Sequence, residues 1–303
     1  MDRCDFLPVS AEEMHERGWW WYDALVVGGD AYVDHPSFGT AVISRVLEAE
    51  GLRVAVLAQP DWHDAEAFRA MGRPRLGVFI GAGNLDSMVA HYTAAKRRRS
   101  EDFYSPGKRT GCRPDRAAIV YCNRAREAFG PDVPIILGSL EASLRRFAHY
   151  DYWDDSVRRA ILFDAPADLL VYGMGEAATI EIAHRLKKKQ SVHTMTDIPG
   201  TGYITRDPSV CKFDHITLPS YEDVRDDKRL YAEATRTEYA EHDPIRGRAM
   251  IQPCEGRYLV INPPAMPLDT KELDRVADLP YTREWHPMYE PLGGVPAIEE
   301  VRF

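Results

Sequence analysis

Residues 24–60, ALVVGGDAYVDHPSFGTAVISRVLEAEGLRVAVLAQP, constrain the fold more than any other stretch. The run 24–28 is short, rich in valine and followed by a glycine pair, the composition of a strand buried on both faces, as parallel sheets require. Phe38, Ala41, Val42, Val46, Leu47 and Ala49 recur at helical spacing and lay one apolar face along residues 38–50. Ser37 is placed to cap this helix and Gly51 to end it in the left-handed conformation. Residues 53–57 form a second buried run. Strand, loop, helix and strand in this order make a right-handed βαβ unit whose ligand edge is the loop 29–37. Asp30, Tyr32, Asp34, His35 and Ser37 crowd that loop, serving either chemistry at a strand's carboxyl end or turns and caps.

The rhythm continues. Residues 75–81 (RLGVFIG), 133–137 and 168–172 (DLLVY) read as three more strands, separated by a short helix at 64–71 and helices at 114–129 and 176–189. Five strands alternating with helices predict an α/β fold, a flavodoxin-like doubly wound parallel sheet in the order 2-1-3-4-5. The run GAGN at 81–84 is not a dinucleotide fingerprint, because Asp86 stands where the third glycine is required. From residue 191 the pattern turns into an irregular α+β extension. It has short extended pieces at 198–204 and 216–219, a charged helix at 221–241, a hairpin turning at Glu255-Gly256, and a helix capped by Asp269. Residues 299–303 read as the start of a further strand. The expected organisation is an N-terminal arm at 1–22, a Rossmann-type domain at 23–190 with a basic insertion at 92–116, and a linker or extension at 191–303.

Several segments are dense in chemical groups. Trp19, Trp20, Trp21 and Tyr22 are expected to pack the arm against the sheet, the alternative being an exposed ligand platform. The insertion carries Lys96, Arg97, Arg98, Arg99, Lys108, Arg109, Arg113 and Arg116 among Tyr92, Phe103 and Tyr104. That composition suits a solvated loop, a phosphate-bearing substrate or a single-stranded nucleic acid. Residues 139–155 hold Glu141, Arg145, Arg146 and His149, either an anion-binding arginine pair or an ion-pair network.

A net charge of −9 disfavours binding of nucleic acid by the surface as a whole. No apolar run approaches the ~20 residues of a membrane helix, and the first residues lack the apolar core of a signal peptide, so a cytoplasmic location and no membrane partner are expected. Cys4, Cys112, Cys122, Cys211 and Cys254 show neither CxxC nor CxxxCxxC spacing, so no metal ligands are assigned.

The stretches DFLPVSAEEM, GDAYVDHPSFGTAVISRVLEAEG, AQPDW, GNLDSMVAHYTAAK, RPDRAAIVYCNR, SLEASLRRFAHYDYW, YGMGE, INPPAMPL and LPYTR span nearly the whole chain. With them the chain resembles the N-terminal region of the YgiQ-type radical S-adenosylmethionine proteins, a degenerate cobalamin-binding-like domain. The resemblance implies a radical SAM barrel after this region, in cis or in trans if split. That barrel's CxxxCxxC loop would hold a [4Fe-4S] cluster and S-adenosylmethionine, and this chain ends before the loop. The base-off cobalamin signature DxHxxG is broken here, with Asp34 adjacent to His35 and Gly39 four residues beyond it, and Gly138-Ser139 stands where a glycine pair is expected; both speak against cobalamin.

The leading expectation is therefore an N-terminal module that scaffolds or covers the catalytic barrel of a radical SAM iron–sulfur enzyme and performs no radical chemistry alone. Asp34, His35, Asn84, Glu141, Arg145 and His149 are its candidate cavity-facing groups, and no residue is assigned as catalytic. The alternatives are a stand-alone module binding a phosphorylated or corrinoid-like small ligand, and an RNA-binding adaptor working through residues 92–116. Reaction and substrate are not legible.

Overall fold

The computed structural model describes residues 5–301. Its strands are β1 (Ala24–Gly28), β2 (Val33–Asp34), β3 (Val54–Ala58), β4 (Gly77–Ile80), β5 (Ile135–Leu137), β6 (His149–Asp151), β7 (Ser156–Arg158), β8 (Leu169–Val171), β9 (Thr201–Thr205), β10 (His215–Thr217), β11 (Ala249–Cys254), β12 (Arg257–Ile261) and β13 (Glu284–Trp285). Its α-helices are α1 (Ala11–Glu16), α2 (Gly39–Ala49), α3 (Glu66–Ala70), α4 (Ser87–His91), α5 (Ala117–Phe129), α6 (Ser139–Leu144), α7 (Glu176–Lys187), α8 (Tyr221–Asp226), α9 (Lys228–Ala240) and α10 (Thr270–Ala277).

Nine strands form one sheet in the order β10-β11-β12-β9-β8-β5-β4-β1-β3. The segment β3-β1-β4-β5-β8 is parallel throughout and is the doubly wound sheet in its expected order. The later strands join the same sheet: β9 runs antiparallel to β8, β12 to β9 and β11 to β12, with β10 parallel to β11. The period-2 alternation of strand side chains builds two cores. Val26, Phe79 and Ile136 face α2 and α7, whereas Leu25, Val27, Val78, Ile80 and Leu137 face α5 and Phe68 of α3. Each such side chain, fully buried, contributes ~1.5–3 kcal/mol.

Local chemistry sets the element ends, not always as the sequence suggests. Ser10 caps α1 by accepting from Glu13 N at 3.2 Å, and Gly51 follows α2 at φ 75°. Ser37 does not cap α2: Phe38 occupies the cap position without a side-chain bond, and Asn84 reaches across from the loop after β4 to accept from Gly39 N at 3.1 Å. The charged helix at 221–241 is two helices, because Ser220 and Asp223 form a capping box on α8 and Asp227 starts α9 afresh. Glu299 and Glu300 lie in a 3-10 turn, Pro296–Glu300, rather than a strand; Pro296 has no N–H to give a ladder. Residues 302 and 303 of that expected strand lie outside the described residues, as does Cys4.

Candidate functional site

Loops 29–38, 81–86, 138–139 and 173–175 follow β1, β4, β5 and β8 and meet at the carboxyl edge of the parallel strands. Two glycines allow the first pair of loops to touch. A Cβ on Gly29 would stand 2.0 Å from the Ala82 carbonyl oxygen, and one on Gly83 (φ 110°) 2.3 Å from Asp30 Oδ1. The polar residues of this edge are largely engaged with one another. Arg113, fully buried, donates to Asp30 Oδ1 at 2.6 Å and to Asp102 Oδ2 at 2.7 Å. Asp30 also accepts from Asn84 N at 2.6 Å. Burial pushes the Asp30 carboxyl up to about 6 against the opposing pull of Arg113. The insertion is thus tied into the protein interior rather than simply solvated: one of its arginines is the counter-ion of the first loop.

The six sequence-predicted residues fall into the same scaffolding. Asp34, fully buried in β2, pairs with Arg45 and accepts from Thr282 N at 3.0 Å, joining the first loop to the chain near β13. His35 accepts from Ser37 N through Nδ1 at 3.1 Å, and burial followed by the Arg283 charge lowers its pKa. Asn84 also donates to the Ser37 carbonyl at 2.9 Å. Glu141 accepts from Ser87 N at 3.1 Å and from Ala118 N at 3.2 Å, serving the first residues of α4 and the start of α5, with its pKa raised by burial. Arg145 pairs with Asp86, the residue that caps α4. His149 lies on β6 with Nδ1 3.0 Å from the Phe147 carbonyl oxygen, its Nε2 buried without a partner and its pKa lowered by burial. The structure brings Asn84 to the loop of Asp34 and His35, and links Glu141 and Arg145 through α4. None of the six lines the open space at this edge.

That space is a cleft of about 310 Å³. Val26, Phe79, Ile136 and Val171 form its floor, Val42 and Ile43 of α2 one wall, and Gly175, Glu176 and Thr179 at the start of α7 the other. Gly39, Gly81, Gly138 and Gly173 are at its margin. Added Cβ atoms would meet nothing nearer than 4.0 Å at Gly39 and 3.6 Å at Gly138, and nothing within 4 Å at Gly173, so the missing side chains are what leaves the cleft open. Ser139, also lining it, holds φ at 72°, a left-handed conformation uncommon for a residue with a Cβ, while its Oγ accepts from Ala82 N at 3.0 Å. The single charged residue of the lining is Glu176, whose Oε2 is buried without a hydrogen-bond partner. Such a cleft accepts an apolar body and one hydrogen-bond donor. Reading by chemical group passed over these positions. The signal for them was glycine at successive strand ends: Gly81, Gly138, Gly173 and Gly175.

No three His, Cys, Asp or Glu side chains among the described residues converge to hold a metal. Cys112, Cys122, Cys211 and Cys254 are free, and burial raises the thiol pKa of Cys122 and pushes that of Cys254 up to about 12. Thiols that do not converge do not fit a cluster that needs several thiolates at one place.

A family profile described as Radical SAM N-terminal matches residues 6–303. A UPF0313 protein of Clostridium botulinum strain 657 is 54% identical over 303 residues, 100% of this chain and 47% of that protein. One from Clostridium perfringens strain SM101 is 52% identical, again over 100% of this chain and 46% of the relative. The chain thus spans about half the length of the curated relatives it matches. Among solved structures it is similar to TsrM, a radical S-adenosylmethionine methyltransferase from Kitasatospora setae determined with tryptophan substrate and a SAM analogue bound. That likeness covers 59% of this chain and 28% of TsrM at 21% identity, with a TM-score of 0.37.

Proposed function

The chain belongs to the radical SAM N-terminal family, and from that premise we propose that it is the N-terminal module of a radical S-adenosylmethionine iron–sulfur enzyme, laid with its cleft edge against the catalytic half. In this reading the cluster and S-adenosylmethionine belong wholly to the other half. The observation that carries it is the composition of the cleft edge. An open apolar cleft is flanked there by exposed apolar side chains, Val89 of α4, Leu140 and Leu144 of α6, and Met174. Patches of this kind mark surfaces that another domain covers. Pro296–Glu300 lies on the same edge, where Ala297 N donates to the Phe103 carbonyl and Ala31 N to the Tyr104 carbonyl, both at 2.9 Å. A module spanning residues 23–190, with residues 191–303 widening its sheet, would present that edge and keep water from the shared space.

Hydrogen exchange on a full-length relative, with and without the half that this chain does not match, tests the reading. Protection at the positions matching residues 139–144 and 173–176 in the full-length protein is expected; equal exchange in both forms would sink it.

A second reading is favoured by the cleft itself: a site for the apolar part of a small molecule that carries one N–H or O–H donor toward Glu176. Fluorescence or calorimetric titration with uncharged heteroaromatic compounds tests it. Saturable binding lost in Glu176→Leu supports it, and binding unchanged in that variant refutes it.

A further inference from the structure

The opposite edge of the sheet, where the parallel strands begin, gathers cations and flat rings. Trp19, Trp20 and Trp21 precede β1, Arg53 precedes β3 and Arg75 precedes β4. The guanidinium carbons of Arg53 and Arg75 stand 3.9 and 3.5 Å from the centre of the Trp21 ring. Trp20 is 80% exposed and lies 4.6 Å from the His15 ring. Arg75 also begins a groove of about 420 Å³ that continues past Lys189 to His193. His193 is shared with a second groove, of about 510 Å³, that reaches Arg206 and Arg257. There the guanidinium of Arg257 sits 4.9 Å from the Phe163 ring.

None of Arg53, Arg75, Lys189, Arg206 and Arg257 makes an ion pair among the described residues. The grooves' own carboxylates are mostly taken: Asp164 by Arg158 and Arg159, Asp168 by Arg126, leaving Asp132. In a chain of net charge −9, this edge therefore keeps a row of cations outside any ion pair among the described residues, with Asp132 the one unpaired carboxylate of the grooves. A guanidinium stacked on a ring keeps its in-plane N–H groups free, and those groups match phosphate oxygens.

We propose that this edge binds a single strand of nucleic acid, with a base on Trp20 and phosphates along Arg53, Arg75, Lys189 and Arg206. An acidic peptide would satisfy the cations through its carboxylates, whereas each nucleotide of a single strand brings a phosphate for the cations together with a flat base for an indole left open to solvent. The surface lies away from the cleft, so the assignment stands independently of the function proposed above.

Fluorescence anisotropy of this chain with labelled 15-nucleotide oligouridylate and oligothymidylate tests it. Affinity should fall with salt at a log–log slope of about −2 to −3, at ~0.7 per phosphate for single strands. Trp20→Ala should weaken binding about tenfold, within the range for loss of one stacked base, and Arg75→Ser with Lys189→Ser should flatten the slope by more than one, each variant keeping the melting temperature. Arg97→Ser with Arg98→Ser and Arg99→Ser, in the insertion, should leave affinity unchanged. The proposal is overturned if neither oligonucleotide binds at low salt, if a poly-glutamate of equal charge binds as tightly, or if the insertion variant abolishes binding while Trp20→Ala does not.

Discussion

The two edges of the parallel strands use arginine in opposite ways. At the carboxyl edge Arg45, Arg113, Arg116 and Arg145 each sit against a carboxylate. At the other edge Arg53 and Arg75 sit against an indole and have no carboxylate partner among the described residues. A buried cation must be neutralised, because desolvation costs more than any contact with a ring returns, whereas an exposed one keeps its water and stacks. The difference teaches that a crowd of charged residues at a strand's carboxyl end can be the frame of a site rather than its lining. The cleft itself is glycine and aliphatic carbon, with Glu176 as its one charge.

The largest expected effect breaks the frame. Arg113→Met leaves Asp30 and Asp102 buried without their cation, and a loss of about 3–5 kcal/mol is expected in urea denaturation; a loss below about 1 kcal/mol would mean that the paired edge is no more dependent on its arginine than the open one. The same pair predicts a pH dependence. An acid whose pKa is higher in the fold than unfolded takes up a proton on folding, so its contribution is greatest below the unfolded value and is lost as pH rises. With Asp30 raised from 3.8 to about 6, stability should decline between pH ~4 and ~6 by on the order of 3 kcal/mol. Asp30→Asn should remove that decline, and a parallel pH profile in the variant would assign it elsewhere.

Two smaller effects sharpen the contrast between frame and lining. Gly138 has φ −142° and room for a Cβ, so Gly138→Val should fold normally and yet lower binding of an apolar dye at least tenfold; undiminished dye fluorescence would mean that the dye site, and with it the accessible cavity, lies elsewhere. At the far edge, Trp20→Ala should change stability by no more than ~0.5 kcal/mol, as exposed substitutions do. A marked drop in melting temperature would show that the indole is part of the core after all.

Legibility followed locality. The strands at 24–28, 53–57, 75–81, 133–137 and 168–172 were readable to within a few residues, because valine-rich runs between glycines and amphipathic helices have one economical arrangement. Ser10 and Asp269 were readable as caps because the bonds they make lie within three residues. The cap on α2 was not, because Asn84 is 45 residues away from Gly39. Nor was the partner of Asp30: Arg113 stands 83 positions later, in an insertion whose composition read equally well as solvent-facing. Trp19 and Tyr22 pack against the core while Trp20 and Trp21 remain exposed, a division that four consecutive aromatics do not announce.

The amino-acid sequence by itself determined the family, the parallel sheet and its order, and the edge at which its loops collect. These follow from periodicity, glycine placement and the handedness of βαβ units, all properties of short segments. Only the tertiary structure decided which residues of that edge enclose space and which fill it. Whether a carboxylate is a ligand or a strut depends on the charge that folding brings beside it, and that charge comes from tens of residues away in the chain.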